Sequence, residues 1–165
     1  MFKQLFVSGV SACFELENTN PYYSPQKYTV YLDGEEVEEK DSNVFSLFNL
    51  SPDTEYTVKI SCCDGQLTFR TLKESACINV KDLGAKGDGA SDDTYYVQMA
   101  IDSCPKGGRV VIPEGSFYVR PIVLKSDITL EIKKGGELVG DVVEEHYPYV
   151  PAKIEHDDGT GEILA

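Results

Sequence analysis

Tryptophan is absent from the 165 residues, and methionine and histidine occur only twice each. Long hydrophobic runs are also missing, since no stretch approaches the roughly 18 consecutive apolar residues that a membrane-spanning helix needs. The cysteines lack a C-x-x-C spacing and are odd in number, with one adjacent pair: Cys13, Cys62, Cys63, Cys77 and Cys104. This pattern fits neither a disulfide framework nor a zinc site, and it predicts buried free thiols in a reducing compartment.

Basic residues are scarce. The chain has 15 Lys and Arg against 28 Asp and Glu, a formal net charge of −13, and both halves share the excess of acid. No face can carry enough Lys and Arg to neutralise phosphates, so nucleic acid and anionic membranes are not expected partners. A polyanionic substrate would also be repelled overall, so that any basic groove for one would have to lie elsewhere.

A convincing secretory signal is missing as well. The first apolar run is short and is broken by Gln4 and Gly9, whereas the apolar region of a signal peptide usually has about 7–15 residues. Val10-Ser11-Ala12-Cys13 superficially matches a lipoprotein cleavage box, but Ser11–Glu17 also has the pattern of an ordinary strand. Together with the odd cysteines, this favours a cytoplasmic location, with secretion or lipoprotein anchoring as the alternatives.

Ten tyrosines and many Val, Thr and Ile residues favour β-structure. In residues 1–74 short apolar runs alternate with turn signals, and Asp33-Gly34 is a strong hairpin turn because glycine tolerates a positive φ. This spacing, without helical periodicity, predicts a β-sandwich. The predicted strands are Phe2–Val7, Ala12–Leu16, Tyr28–Leu32, Val44–Leu47, Tyr56–Ile60 and Leu67–Thr71.

One motif in this segment is more specific. The run from Leu50 to Val58 contains Leu50, Pro52, Thr54 and Tyr56, a turn followed by a strand that opens with tyrosine. Such a tyrosine can bury its ring between two sheets while its hydroxyl bonds to an upstream backbone group. The motif resembles the tyrosine corner of fibronectin type III domains, which implies a fibronectin type III-like β-sandwich over residues 1–74. Nothing in this segment indicates chemistry.

The pattern changes after a linker at Glu74–Cys77, where a second domain, residues 75–165, is predicted. A short strand at Ile78–Val80 leads into a glycine-rich turn at Leu83–Thr94. A helix then follows, which Ser91 or Asp92 can cap. Its buried face is predicted from i, i+3, i+4, i+7 spacing to be Val97, Ala100, Ile101 and Cys104, and Pro105 with Gly107-Gly108 ends it.

Short strands with tight corners return after this helix, which is the pattern of a coiled, stacked parallel sheet. From about residue 141 the chain becomes polar and aperiodic, and residues 142–165 are predicted to form a long, partly disordered loop. The predicted strands are Arg109–Ile112, Ser116–Arg120, Ile122–Leu124, Asp127–Ile132 and Glu137–Val139.

These residues resemble a known family. Leu83–Gly89 followed by Ser91–Thr94 resembles the opening motif of pectin-lyase-like right-handed β-helix proteins. Gly107–Gly115, Pro121–Ser126 and Gly136–Gly140 are similar to the first coils of polygalacturonases, and Tyr147-Pro148 is similar to their aromatic-Pro pair. The resemblance covers about Ile78–Pro151. It implies a mainly β fold in which the sandwich is followed by the cap helix and first coils of a right-handed parallel β-helix.

The resemblance also implies an activity for the parent protein, inverting hydrolysis of α-1,4-galacturonan (pectin) or its oligomers. The family takes its acids from an Asn-Thr-Asp turn and an Asp-Asp pair on a central coil, followed by His-Gly and Arg-x-Lys. The polygalacturonase-like part of this chain has no Asn-Thr-Asp, His-Gly or Arg-x-Lys string, and its one Asp-Asp pair opens a helix. We therefore predict no catalytic, cofactor-binding or metal-binding residue here, and an inactive isolated chain. The alternatives are a non-catalytic glycan-binding or structural β-helix protein and an adhesion or spacer module.

Several residues could suggest a catalytic, phosphate-binding or metal-binding role, but their sequence context argues against it. Asp92-Asp93 is predicted to cap the helix, and the Gly84, Gly87 and Gly89 loop to be a turn without the spacing of a phosphate-binding motif. His146 and His156 are predicted to lie in a solvated loop, and Asp157–Gly161 lacks the alternating ligands of a calcium loop. The acidic run Glu35–Asp41 is predicted to be a solvated edge or loop. The last coil, left uncovered, is expected to promote self-association.

Overall fold

The computed structural model describes the backbone of residues 1–20, 22–156 and 159–164, and the side chains of these residues up to residue 148. The chain divides into two compact units, Met1–Glu74 and Ser75–Ala165. Strands dominate both units, and the described residues contain one α-helix. The predicted mainly β fold is confirmed.

The first unit consists of antiparallel strands in two sheets. These strands are β1 (Phe2–Val7), β2 (Ala12–Leu16), β3 (Tyr23–Leu32), β4 (Glu35–Ser42), β5 (Val44–Leu47), β6 (Glu55–Ile60) and β7 (Gln66–Arg70). One sheet has the order β1-β2-β5 and the other the order β4-β3-β6-β7. Five of the six strands predicted from the sequence match within one residue, and β3 begins five residues earlier than predicted.

The two sheets share one apolar core. Alternate residues of each strand point inward, so that the burial along β2 alternates with period two. The rings of Phe14 on β2 and Phe69 on β7 have centroids 5.2 Å apart, and those of Tyr28 on β3 and Phe45 on β5 are 5.9 Å apart. Because each pair joins one sheet to the other, the unit is a β-sandwich. Its likeness to fibronectin type III domains stays a prediction.

The tyrosine motif has the expected geometry. The backbone N–H of Ser51 donates a hydrogen bond of 2.9 Å to the hydroxyl of Tyr56. The half-buried ring of Tyr56 stacks on Phe69 with centroids 5.8 Å apart. The hydroxyl thus fixes the turn before β6 while the ring packs against the core, as the sequence predicted.

The acidic run Glu35–Asp41 is a strand and not a loop, and within the described part of the chain it pairs with β3 alone. The turn before it explains this. Asp33 and Gly34 have φ values of 51° and 88°, the two successive positive values of a type I′ hairpin turn. That turn brings Glu35 opposite Leu32 and sets the register. The edge position leaves these acidic side chains largely in water, so the predicted edge is correct and the predicted loop is wrong.

The second unit begins with parallel strands and one helix. The elements are β8 (Cys77–Asn79), a 3-10 turn (Val80–Leu83), β9 (Asp88–Asp92), α1 (Thr94–Ser103), β10 (Arg109–Ile112), β11 (Gly115–Val119), β12 (Thr129–Ile132) and β13 (Gly136–Gly140). They form two parallel sheets with the orders β8-β10-β12 and β9-β11-β13. Each pass of the chain adds one strand to each sheet, which makes three stacked coils. The predicted coiled sheet is confirmed.

Helix α1 closes the core of these coils. Val97, Ala100, Ile101 and Cys104, the residues predicted from their spacing, are all fully buried. They share one apolar cluster with β-strand residues of the coils, including Phe117. The helix therefore covers apolar surface that the first coil would otherwise expose to water. No helix in the described part of the chain combines the length and hydropathy needed to cross a bilayer.

Two local expectations for this unit are wrong. Ile122–Leu124, predicted as a strand, has no regular structure. The side-chain amide of Gln98 on α1 donates to the Val123 carbonyl at 3.1 Å and accepts from the Val123 N–H at 2.8 Å, replacing a neighbouring strand. Asp88–Asp92, predicted as part of a turn, pairs in parallel with β11 instead.

The tail also differs from the expected loop. It contains a second 3-10 turn at Glu144–His146 and two antiparallel strands, β14 (Tyr149–His156) and β15 (Gly159–Leu164). The pairing satisfies backbone groups that a loop would have to leave to water. A weakly alternating segment containing Pro151 gave no clear strand signal, so the long-loop prediction is wrong for these residues.

Candidate functional site

Polar side chains gather where the strands of the β9-β11-β13 sheet end. Because β9 and β13 both pair with β11, the residues at their carboxyl ends lie above one another. Five residues, termed the polar cluster, meet there: Asp92, Tyr118, Arg120, Asp141 and His146. This is the strongest concentration of interacting titratable groups in the described part of the second unit.

Asp141 is the centre of the polar cluster. Its side chain is 1% exposed, and its carboxylate contacts Nδ1 of His146 and accepts the N–H of Val143 at 3.0 Å. Nε of Arg120 stands 3.9 Å from Asp141 Oδ2 and 3.2 Å from Asp92 Oδ2. The hydroxyl of Tyr147 donates to the backbone carbonyl of Asp141 at 2.5 Å. The third coil and the segment after it are thus tied to the first two coils by polar contacts.

These contacts shift the proton affinities. The hydrogen bond from His146 is the main cause that holds the pKa of Asp141 well below its usual range, although burial acts in the opposite direction. Hydrogen bonds from the hydroxyl and N–H of Thr94 hold the pKa of Asp92 below its usual value. The hydrogen bond to Asp141 raises the pKa of the Tyr118 hydroxyl. Both carboxyl groups are therefore ionised at neutral pH.

This chemistry suits anchoring better than catalysis. A general acid needs a proton near neutral pH, which a carboxyl of lowered pKa does not hold. An inverting glycosidase keeps its two carboxyl groups about 6.5–9.5 Å apart with room for a water between them. Here the carboxylates of Asp92 and Asp141 both lie near one atom, Nε of Arg120. The contacts of the polar cluster link residues that follow β9, β11 and β13 to one another.

The glycine-rich loop binds a carboxyl group of the same chain. Asp93 is fully buried, and its carboxylate accepts the N–H of Lys86 at 2.7 Å and the N–H of Gly87 at 2.8 Å. These N–H groups face a carboxylate of the same chain, which agrees with the predicted turn. Asp92 accepts the N–H of Thr94 at 3.0 Å, so the predicted capping role is confirmed for Asp92. It is wrong for the Asp93 side chain, which makes no bond to the helix N-terminus.

The two histidines have different outcomes. The solvated-loop prediction is wrong for His146, whose half-buried ring contacts Asp141. The side chain of His156 and residues Asp157-Asp158 lie outside the described residues. In the sequence, only the change to polar residues after Gly140 marked this region. Within the described residues, no group of three or more His, Cys, Asp and Glu side chains could hold a metal ion.

The cysteines are free but mostly not buried. Cys104 alone among them is buried, Cys77 is exposed, and the other three are half-buried. Cys13 lies within β2, so the last two residues of the segment that matched a lipoprotein box, Ala12 and Cys13, begin a strand. The prediction of buried thiols is wrong for four of the five, because they lie at turns, edges or outward-facing positions of short strands.

The contacts of Asp141 predict a pH dependence. A folded-state pKa below the unfolded value means that ionised Asp141 stabilises the folded state above about pH 4. This contribution is lost as the pH falls through the folded-state pKa. Since the His146 hydrogen bond is the main cause, His146→Ala should raise the pKa of Asp141 and move this loss to higher pH. The measurement is the carboxyl carbon shift of Asp141 by NMR across the acidic range.

Tyr118→Phe provides the matched control for this prediction. The Tyr118 hydrogen bond is a smaller cause of the lowered pKa, so this variant should raise the pKa of Asp141 less than His146→Ala does. Equal pKa values of Asp141 in the wild type and His146→Ala would show that the contact does not form in solution.

Comparisons with known proteins agree with this architecture. Residues 77–150 match the family model for rhamnogalacturonase A/epimerase, pectate lyase-like. The chain is 37% identical over 103 residues to the exo-poly-alpha-D-galacturonosidase of Dickeya chrysanthemi, covering 58% of this chain and 17% of that protein. It is 45% identical over 84 residues to mannuronan C5-epimerase AlgE1 of Azotobacter vinelandii, covering 49% of this chain and 6% of that protein.

A solved structure extends the fold match to the whole chain. The family 28 exopolygalacturonase of Yersinia enterocolitica aligns with a TM-score of 0.69 and 23% identity, covering 100% of this chain and 36% of that one. The chain thus spans a minor part of the length of the proteins that it matches. The coiled sheets and these matches show that residues 77–150 form part of a pectin-lyase-like β-helix, and that the chain is similar to a portion of the polygalacturonases.

Proposed function

We propose that this chain is the N-terminal portion of a polygalacturonase-like glycoside hydrolase that cleaves α-1,4-galacturonan, or oligomers of it, with inversion at the anomeric carbon. The observation that carries the proposal is the 37% identity over 103 residues to an exo-poly-alpha-D-galacturonosidase. That alignment is longer than the 74-residue span of the family model, which is shared with epimerases. We also propose a reducing compartment, on the strength of the five free cysteines.

In this proposal the catalytic carboxylates lie outside these 165 residues. The two carboxylates of the polar cluster are ionised and held by Arg120, Thr94 and His146, and Asp93 is enclosed by the glycine-rich loop. These hydrogen bonds and ion pairs compete with a leaving oxygen or a water for the same carboxylate oxygens, which supports the proposal. In this proposal the first coils support the later coils, and the later coils carry the catalytic acids. The sandwich is an accessory unit that precedes the first coils.

Incubation with polygalacturonate tests this division. We expect no release of reducing sugar by the 165-residue chain, and release by a longer natural product that contains it. Inversion predicts that the first product is the β-anomer, which NMR detects before mutarotation. Hydrolysis by the 165-residue chain, abolished by Asp92→Asn or Asp141→Asn, would place the catalytic acids in the polar cluster and overturn the proposal.

A second candidate comes from the 45% identity to a mannuronan C5-epimerase over half of this chain. An epimerase inverts a ring carbon without cleaving the polymer, so the longer product would change the NMR spectrum of mannuronan and release no reducing ends.

A third candidate, a non-catalytic glycan-binding or structural β-helix, is favoured by 37% identity over 81 residues to a plasmin and fibronectin-binding protein of Streptococcus pneumoniae. Such a protein would bind polysaccharide or protein and would leave polygalacturonate and mannuronan unchanged.

We also propose that the isolated chain self-associates through its third coil. Among the described strands β12 pairs only with β10, and β13 only with β11, so each keeps one open backbone edge. Ile132 and Val139 on these strands are 49% and 39% exposed. An open edge beside apolar side chains is a template for another strand.

Light scattering measures this association directly. We expect the mean mass to rise with protein concentration, and we expect Ile132→Lys with Val139→Lys to reduce the rise by placing like charges at the edge. Val37→Lys, an equally exposed valine on the first unit's edge strand β4, is the matched control. A constant monomer mass for the wild type over a hundredfold range of concentration would refute the proposal.

A further inference from the structure

Two adjacent thiols occupy the turn between β6 and β7. Cys62 and Cys63 follow Ser61 directly after β6, and both are free and half-buried. Neither belongs to the β-helix or to the polar cluster, and the proposed hydrolysis gives them no role. A pair of neighbouring thiols at a turn is a chemical group that single cysteines elsewhere in the chain do not supply.

The two side chains line one cavity and are reachable from solvent. Burial is the main cause that raises the pKa of the Cys62 thiol, and the charge and hydrogen bond of Cys63 raise it further. Cys63 lines a surface cavity of about 510 Å³ with Tyr31 and Lys59. Both cysteines line a second cavity of about 200 Å³ beside Met1 and Leu16. A small reagent can therefore approach both sulfur atoms.

The two sulfur donors of this turn limit which metal or metalloid atom could bind there. Structural zinc requires four ligands, and no group of three or more metal-binding side chains exists among the described residues. Two sulfur atoms bound to one atom at about 2.3 Å stand roughly 3.3–4.6 Å apart, depending on the angle at that atom, whereas a disulfide needs about 2.05 Å. A bridging atom therefore tolerates a wider range of sulfur separations at this turn than a disulfide does.

We propose that Cys62 and Cys63 form a dithiol site that holds one soft acceptor atom satisfied by two sulfur ligands, of the class of monovalent copper or trivalent arsenic. Thiolates select soft ions of this kind. With an organoarsenic(III) oxide, two arsenic–sulfur bonds form, and the oxygen leaves as water with the two thiol protons. With monovalent copper, two sulfur–copper bonds form and the thiol protons pass to solvent. Neither step changes an oxidation state.

Phenylarsine oxide and monovalent copper, the latter buffered by a competing chelator, are the probes for the two arms. We expect one equivalent to bind the folded chain, shown by native mass spectrometry and by the loss of two titratable thiols. Cys62→Ser and Cys63→Ser should each weaken binding at least tenfold. Cys13→Ser and Cys77→Ser, each removing one accessible thiol elsewhere, should bind as the wild type does.

The two arms identify the ligand class within the proposal. Binding of both probes supports a general soft-atom site, and binding of one assigns the site to that element. Wild-type affinity for both probes in Cys62→Ser or Cys63→Ser would overturn the proposal, as would mapping of the adduct to Cys77. Tyrosine circular dichroism confirms that each variant is folded. None of these readouts depends on polysaccharide cleavage.

Discussion

Gly87→Ala is expected to lower the free energy of unfolding of the second unit by about 2–5 kcal/mol, the sum of two effects. Gly87 has φ +63°, a conformation that costs a residue with a side chain about 1–2 kcal/mol. A Cβ there would also stand 2.7 Å from the ring of Phe117, which is fully buried in the apolar cluster. Overpacking of this kind costs about 1–3 kcal/mol. Hydrogen exchange of amides in β10 and β11 measures the loss.

Gly34→Ala separates the two effects. Gly34 also has a positive φ, +88°, but a Cβ there would meet nothing within 4 Å. This variant should therefore show only the conformational cost, about 1–2 kcal/mol, and only in the first unit. If both substitutions lower the free energy of unfolding of their units equally, the close approach of Phe117 to Gly87 adds no cost. The packing of Phe117 against the glycine-rich loop would then be incorrect.

Asp93→Ala is the second substitution with a large expected effect, a loss of about 2–4 kcal/mol. The fully buried carboxylate accepts two backbone hydrogen bonds, from Lys86 and Gly87. Alanine would remove both bonds and leave the two N–H groups of a tight loop without their acceptor. We expect the loop Leu83–Gly89 to lose protection first, because these two hydrogen bonds join it to the residue that precedes α1. Amide exchange of Lys86 and Gly87 reports this directly.

Asp92→Ala is the matched control, one residue away at the end of β9. Asp92 is more exposed, caps Thr94 and faces Arg120 at the surface, so its removal should cost about 0.5–1.5 kcal/mol. Both variants remove a carboxyl group from neighbouring positions, so a larger loss for Asp93→Ala reports the enclosed hydrogen bonds against a surface cap and ion pair. A smaller loss for Asp93→Ala than for Asp92→Ala would reject the structural role assigned to Asp93.

Local signals in the sequence were sufficient for much of the fold. The alternation in Ala12–Leu16, the turn at Asp33-Gly34 and the helical spacing from Val97 to Cys104 all depend on neighbours within a few residues. The hydrogen bond between Ser51 and Tyr56 spans five residues, and a fixed motif encodes it. Such features are predictable because backbone geometry alone brings their partners together.

The errors occur where the partner is distant in sequence. Gln98 takes the place of a strand for Val123, 25 residues away, and the polar cluster around Asp141 joins groups from three coils through Arg120. No periodic pattern in the sequence predicts contacts between residues so far apart. Each depends on the register of the parallel strands, which decides the residues that are stacked at a corner.

The sequence by itself determined that this chain is mainly β, that its composition changes near Glu74, and that a cap helix precedes short stacked strands. It did so because side-chain periodicity and turn residues act over a few positions. Only the tertiary structure decided that Asp93 faces the glycine loop, that His146 is paired with Asp141, and that Cys62 and Cys63 share a turn open to solvent. The reason is physical: hydrogen bonds, burial and shifted pKa values arise from groups that only the packing of coils and sheets brings within reach of one another.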